Sequence, residues 1–306
     1  MVFGRACGQT RLMKSSNLFE LVLLGAVWGA SFLFMRMAAP AFGPIALIAV
    51  RVGVAALVLL PIALALGARR ELQAHARALI WLGLVNSALP FVLFAYSTLS
   101  LNAGLASVLN ATAPMWTAFI AWAAWGERLA AQRVAGLALG FVGVLWLAWD
   151  RMGAGDPGAA GLAVTAALLA TACYGYAANY TRHRLSGVAP LSVAAGSQLG
   201  ASLVLAPWAL WTWPAADISA RDWGAALALA LVCTALAYLL YFRLIRRAGA
   251  IAAVSVTFII PLAGVAWGVV FLGEQVGPGM LAGGVVILAG TALSLGLVRW
   301  SGRSSA

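Results

Sequence analysis

The chain is predicted to be an all-α integral membrane protein, with ten transmembrane helices arranged as two inverted five-helix repeats. Composition is the first ground. Of 306 residues, 64% are hydrophobic and 9% are charged, and mean hydropathy is +0.98. A soluble domain is about a quarter charged, so this chain has too little polar surface to cover a globule and most of it must face lipid. The second ground is a series of apolar stretches near the ~20 residues that a span requires. The third is a match of the sequence to itself at an offset of 147 residues, in which arginines change sides.

The stretches run over 18–38, 44–66, 78–98, 102–125, 132–149, 160–181, 190–213, 222–242, 250–272 and 278–298. Turn and charge signals separate them: Pro44, Arg69-Arg70-Glu71, Gly126-Glu127-Arg128, Gly153 to Gly158, Pro190, Trp213-Pro214 and Pro278. Ala39-Pro40-Ala41 is faintly like a signal-peptide cleavage site, but the preceding apolar run is too long for a signal h-region. The first span is therefore expected to be retained.

Basic residues set the orientation. Arg5, Arg11 and Lys14 precede the first span, and Arg299 and Arg303 follow the last. Alternate connections hold Arg69, Arg70 and Arg77, then Arg128 and Arg133, then Arg182 and Arg184, then Arg243, Arg246 and Arg247, whereas the intervening ones offer only Arg36, Arg151 and Arg221. Positive residues favour cytoplasmic loops, so both termini are expected in the cytoplasm. The net charge of +11 is thereby explained without nucleic acid, since no basic stripe or zinc spacing accompanies it. Cys7, Cys173 and Cys233 are too widely spaced for a metal site or a disulfide framework, and no cofactor is expected.

In the repeat, Pro114 falls on Pro261, Gly126 on Gly273, Glu127 on Glu274, Gly136 on Gly283 and Gly143 on Gly290. With one residue less of offset, Gly29 meets Gly175, Arg36 meets Arg182 and Pro44 meets Pro190. Each half holds five spans, an odd number, so the halves must enter the membrane in opposite directions. The charges agree: Tyr96, Leu99 and Ser100 become Arg243, Arg246 and Arg247, while Arg128 and Arg133 become Gln275 and Met280. An inverted repeat is a recurring plan of secondary transporters, because two like halves can rock between inward- and outward-open states. The expected organisation is a tail over 1–17, repeats over 18–149 and 160–298 joined by a periplasmic linker over 150–159, and a tail over 299–306.

Polar and aromatic residues inside spans are the candidate solute contacts. Pro90, Pro114 and Pro261 interrupt spans, and a mid-helix proline leaves the carbonyl four residues earlier without its donor. Those carbonyls belong to Asn86, Asn110 and Thr257. They can be satisfied by neighbouring side chains, helices and water, line a solute path, or do both. Trp28 and Ser31 share a face of the first span, Tyr174 and Asn179 lie in the sixth and Tyr238 in the eighth. Ser107, Asn110, Pro114 and Thr117 share a face of the fourth. Trp208, Trp211, Trp213, Trp223 and Trp300 lie near span ends and are read as an interfacial belt. Arg51 is the deepest charge, about seven residues into the second span or roughly 10 Å from its outer end. Snorkelling to that interface is favoured over an intramembrane site, and its repeat counterpart is Gln198 or Ser197. Glu127 and Glu274 are read as turn anchors favouring the start of the following helix. No Asp, Glu or His is expected in mid-span, with Glu20 near the cytoplasmic start of the first. A GxxxxGK[ST] loop is absent, as is any catalytic constellation, so the chain is not read as an enzyme.

Trp28-Gly29-Ala30-Ser31-Phe32, Pro44 with Arg51, Ala113-Pro114 before Gly126-Glu127-Arg128, and Ile260-Pro261 before Gly273-Glu274-Gln275 resemble the EamA type of the drug/metabolite transporter superfamily. Nearly the whole chain is covered, in two copies. Within that superfamily the likeness is to aromatic amino-acid exporters of the YddG type. The resemblance implies a central cavity lined by spans 1, 3, 4, 6, 8 and 9. It also implies an inner-membrane exporter of neutral, aromatic or bulky apolar amino acids. The alternative is a proton-coupled drug/metabolite antiporter of the same fold. Partners would be a small-molecule substrate and the lipid bilayer. Small multidrug exporters of the superfamily carry a central Glu on the first helix, where this chain has Trp28.

Overall fold

The computed structural model describes residues 15–152, 157–249 and 253–297. The basic residues Arg5, Arg11, Lys14, Arg299 and Arg303, together with Cys7, Trp300 and most of the Gly153–Gly158 connection, lie outside the described residues. Every regular element among the described residues is helical.

Helices α1 (Ser15–Phe42) and α2 (Pro44–Ala65) meet at Gly43, whose φ of 72° lets the chain reverse before Pro44 opens α2. The short α3 (Arg69–Ala74) leads to α4 (Ala76–Gly83), which continues through a π-turn over Leu84–Ala88 into α5 (Leu89–Ser100). Then come α6 (Ala103–Asn110) and α7 (Ala113–Trp125), broken at Ala111 and Thr112, followed by α8 (Ala131–Met152). The second half opens with α9 (Pro157–Arg184) and α10 (Pro190–Trp211). A further π-turn over Leu231–Leu236 joins α11 (Ala220–Ala230) to α12 (Ala237–Ala248), and α13 (Val256–Leu272) and α14 (Pro278–Ser294) complete the chain.

Among the described residues, seven stretches are long and apolar enough to cross a membrane: α1, α2, α4–α5, α8, α9, α10 and α11–α12. The apolar α13 and α14 are shorter, at 17 residues each, and α6–α7 forms a broken pair. Side chains such as Leu210 (80% exposed) and Val270 (70%) face outward, which lipid accommodates and water would not.

Small residues bring the helices close, the usual device where lipid supplies no hydrophobic drive between helices. A Cβ on Gly290 would lie 2.7 Å from the Gly136 carbonyl oxygen, and one on Gly283 would lie 3.2 Å from that of Gly143. Thus α8 and α14 run antiparallel, glycine against glycine. At Gly29 a Cβ would sit 2.9 Å from the Gly264 nitrogen, and at Gly175 it would sit 2.7 Å from the Thr117 nitrogen, so α1 packs on α13 and α9 on α7 through small residues.

The π-turns are a finding that proline counting did not anticipate. Leu89 N–H bonds the Leu84 carbonyl and Ala237 N–H the Val232 carbonyl, each five residues back. Pro90 follows the first, but the equivalent position in the second half is Ala237, so proline does not cause the second distortion. The Thr234 hydroxyl instead donates to the Leu229 carbonyl at 2.9 Å.

Candidate functional site

Both π-turns and the middle of α2 border one polar cluster. Arg51 is 4% exposed and turns inward, which corrects the expectation that it snorkels to the interface. Its Nε donates to Thr234 Oγ1 at 2.9 Å, and its Nη1 contacts Met35 Sδ at 3.9 Å. The guanidinium carbon lies 3.6 Å from the Phe91 ring centroid, a cation–π contact. Tyr174, Cys233 and Tyr238 are within its electrostatic reach. Among the described residues it makes no ion pair.

The position that the repeat pairs with Arg51 falls in the same cluster. Gln198 is fully buried; its Nε2 donates to Ser87 Oγ at 2.9 Å, and its Oε1 has no partner among the described residues. The Tyr238 hydroxyl lies beside Asn86, Ser87 and Gln198 without closing a hydrogen bond to them. Two sequence-predicted residues, Asn86 and Tyr238, are thereby brought together beside three that sequence reasoning left out: Arg51, Ser87 and Gln198. The available signals were that Arg51 is a mid-span charge and that Gln198 is its repeat counterpart.

Two aromatic strings converge here. One runs Phe32–Phe94–Tyr174–Phe91 with centroid separations of 5.3, 6.1 and 6.4 Å and ends on Arg51. The other runs Trp28–Tyr241–Phe242–Tyr238 at 5.2, 5.8 and 5.9 Å. Ser31 lies between them in chain order and is buried. The Cys233 thiol is beside it, but the geometry closes no hydrogen bond, and Ser31 Oγ is without a partner. Trp28, Tyr174 and Tyr238 pack on the core while keeping part of their surface accessible.

The remaining predicted residues form other groups. Pro90 is buried just after the first π-turn, whereas Asn110 and Pro114 flank the break between α6 and α7. The Thr257 hydroxyl donates to the Val254 carbonyl at 2.8 Å. Pro261 sits inside α13, and its carbonyl receives Ser107 Oγ at 3.4 Å. Asn179 is occupied in packing: its amide nitrogen donates to the Thr117 and Gly175 carbonyls, both at 2.9 Å, and its oxygen accepts from Arg182 at 2.9 Å. A surface groove bordered by Val142, Leu145, Trp146 and Trp149 is apolar, lies on the outer face of α8 and touches none of these residues.

The glutamates at the two Gly-Glu turns correct a second expectation. Gly126 and Gly273 end α7 and α13 in the left-handed conformation, with φ of 68° and 64°. Neither carboxylate serves the helix that follows. Glu274 Oε1 accepts the Ala103 N–H at 2.8 Å and Oε2 the Gly104 N–H at 3.3 Å, capping α6 from the other half of the chain. Glu127 pairs with Arg182 and, at 3.8 Å, with His183, whose ring stacks on Trp125. Arg36 Nη1 donates to the Thr98 and Leu99 carbonyls at 2.6 and 2.9 Å, so the α5–α6 turn is held on both sides. Glu20 is buried; its Oε1 accepts from Arg243 at 2.5 Å and Arg247 at 2.8 Å, and its Oε2 has no partner among the described residues.

Among the described residues no group of His, Cys, Asp or Glu could hold a metal ion. Over residues 18–149 and again over 161–296, the sequence matches the model of the EamA-like transporter family. No curated protein matches the chain. Solved structures do: one crystal structure superimposes with a TM-score of 0.68 at 19% identity, covering 95% of this chain and 99% of the other. At that identity the likeness is one of fold.

Proposed function

This chain belongs to the EamA-like transporter family, a family of multi-pass membrane transporters rather than enzymes, and we propose that it exports neutral amino acids with aromatic or bulky apolar side chains. The observation that carries this reading is the pair of aromatic strings, Phe94–Tyr174–Phe91 and Trp28–Tyr241–Phe242–Tyr238, flanking a small buried polar cluster. An aromatic or bulky apolar side chain can stack between such walls, since ring pairs at these separations are favourable. Asn86, Asn110 and the carbonyls freed by Pro90, Pro114 and Pro261 are suited to an ammonium group.

The proposed architecture counts ten spans, with α6–α7 as one and the short α13 and α14 as two. They form two oppositely oriented halves, 18–149 and 160–298, joined by a periplasmic linker over 150–159. Both termini are cytoplasmic, in a bacterial inner membrane. Support comes from contacts that map onto each other under the 147-residue offset. Gly136 against Gly290 maps to Gly283 against Gly143, and both π-turns share that offset. Two like halves in opposite orientation make alternating access symmetric in energy.

A zwitterion carries no net charge, and the central cluster contains no carboxylate or imidazole among the described residues, so the mechanism is uniport. Proton antiport is the second reading, and Glu20, a buried carboxylate at the start of α1, is the observation in its favour. Purified protein in liposomes, tested with labelled phenylalanine, tryptophan, leucine, aspartate, lysine and a lipophilic cation, separates the substrate classes. Uptake of the first three alone is expected. Uptake of only the cation overturns the reading.

A further inference from the structure

We propose that Arg51 is the anchor for the carboxylate of the transported solute. The site therefore selects compact carboxylates bearing an apolar group, with or without an amine. The proposal rests on the reading of the chain as a carrier with a central site, and it adds the group by which solute is recognised.

The argument starts from donors and acceptors. A guanidinium has five N–H donors and cannot be deprotonated in a protein. In this site the hydrogen-bond acceptors facing it are one hydroxyl, Thr234 Oγ1, and one weak thioether, Met35 Sδ. Nη2 has no hydrogen bond among the described residues. A buried charge without a partner is strongly disfavoured, and proteins meet it with an opposite charge. None is near. Glu20 is held by Arg243 and Arg247, Glu71 by the Ala189 N–H and Ser192, Glu127 by Arg182, Glu274 by the α6 amides, and Asp222 by Ser219. Asp217 is exposed, and Asp150 and Asp156 fall in or beside the linker between the halves.

The surroundings orient the guanidinium without neutralising it. Phe91 covers one face of the guanidinium, and Thr234 fixes Nε while donating its own proton to the Leu229 carbonyl. The fork is therefore oriented, with Nη2 unbonded among the described residues and Nη1 held only by the weak Met35 thioether, an edge suited to the two parallel N–H···O bonds that carboxylates accept. Ser31 Oγ and Gln198 Oε1, both buried, are unpartnered in the same region, so further polar contacts are available to a bound solute. The aromatic strings ending at Phe91 and Tyr238 supply walls for its apolar part.

The test uses the full chain in nanodiscs, with binding read by tryptophan fluorescence for four probes: L-phenylalanine, L-phenylalaninamide, 3-phenylpropionate and 2-phenylethylamine. Loss of a charge-assisted, hydrogen-bonded pair corresponds to about 10- to 100-fold in affinity. Phenylpropionate, which lacks only the ammonium contacts, should bind more tightly than the amide and the amine, and these should bind about 10- to 100-fold more weakly than phenylalanine. In Arg51→Gln the gap between phenylalanine and its amide should close; in Arg51→Lys, which keeps the charge but not the fork, part of it should remain. A wild-type protein that binds the amide or amine as well as the acid overturns the proposal, whether or not the variants fold. So does Arg51→Gln with the gap intact. Acetate and propionate separate this proposal from the broader one. If they bind as tightly as phenylalanine, and Arg51→Gln abolishes it, the carboxylate anchor stands and the aromatic preference falls. If ring compounds bind regardless of a carboxylate, the aromatic preference stands and the anchor falls.

Discussion

Replacing Glu274 should destabilise the protein far more than replacing Glu127, although the two occupy equivalent places in the two sequence repeats. Glu274 accepts two N–H groups at the start of α6, at 2.8 and 3.3 Å, and the residues that own them, Ala103 and Gly104, are buried. A hydrogen bond to a charged group contributes roughly 1.5–3 kcal/mol, and a carboxylate at a helix N-terminus a further 0.3–1 kcal/mol or so. The second bond is long and the site is only partly buried, so Glu274→Ala should cost about 2–3 kcal/mol. Glu274→Gln keeps one acceptor oxygen and should cost about 1 kcal/mol. The Glu127 pair with Arg182 has side chains 36% and 53% exposed, and such pairs contribute about 0–1 kcal/mol. The assay is reversible unfolding in mixed micelles by increasing SDS, followed by far-UV circular dichroism. Equal losses for Glu274→Ala and Glu127→Ala, or a loss for Glu274→Ala under about 0.5 kcal/mol, would refute the reasoning that the cap and not the turn itself carries the energy.

Three further expectations follow from particular contacts. Gly290→Ala places a Cβ 2.4 Å from the Gly140 nitrogen. The α8–α14 pair must then separate, at about 1–3 kcal/mol, lowering the yield of folded protein on size-exclusion chromatography; an unchanged yield and melting curve would contradict that. Pro90→Ala should keep the π-turn, because the equivalent turn in the second half forms with Ala237 in that place, and should slow transport only modestly. Pro261→Ala supplies an N–H inside α13 and should slow transport, and the reverse order of the two flux rates would remove the distinction. Asp217→Cys, exposed between α10 and α11, should react with a membrane-impermeant maleimide on intact cells while Arg128→Cys reacts only after permeabilisation. The opposite pattern would defeat both the orientation and the inverted repeat.

Local features were legible in the sequence, and contacts between distant segments were not. Pro44, Pro190 and Pro278 mark helix starts, and Gly126 and Gly273 mark helix ends, because the backbone constraint lies in the residue itself. The break after Asn110 follows likewise from Pro114. The π-turns over Leu84–Ala88 and Leu231–Leu236 share Leu-Val and an Ala in the same register, but nothing in that composition marks a π-turn. Arg51 was misplaced because its direction depends on which face of α2 meets Phe91 of α5 and Thr234 of the second π-turn, both far along the chain. Glu274 was misassigned for the same reason: the amides that it caps lie 171 and 170 residues away. Asn179 stood out as a polar residue in mid-span, but sequence could not indicate that the Thr117 carbonyl would take up its amide.

The most direct measurement of the central claim, a zwitterion uniporter not coupled to protons, is accumulation in proteoliposomes with equal labelled phenylalanine on both sides. Exchange should proceed with no gradient, and an imposed pH gradient should leave the internal and external concentrations equal, in the wild type and in Glu20→Gln alike. Accumulation that appears with the pH gradient, collapses with an ionophore and is lost in Glu20→Gln would contradict uniport and establish proton antiport through the start of α1.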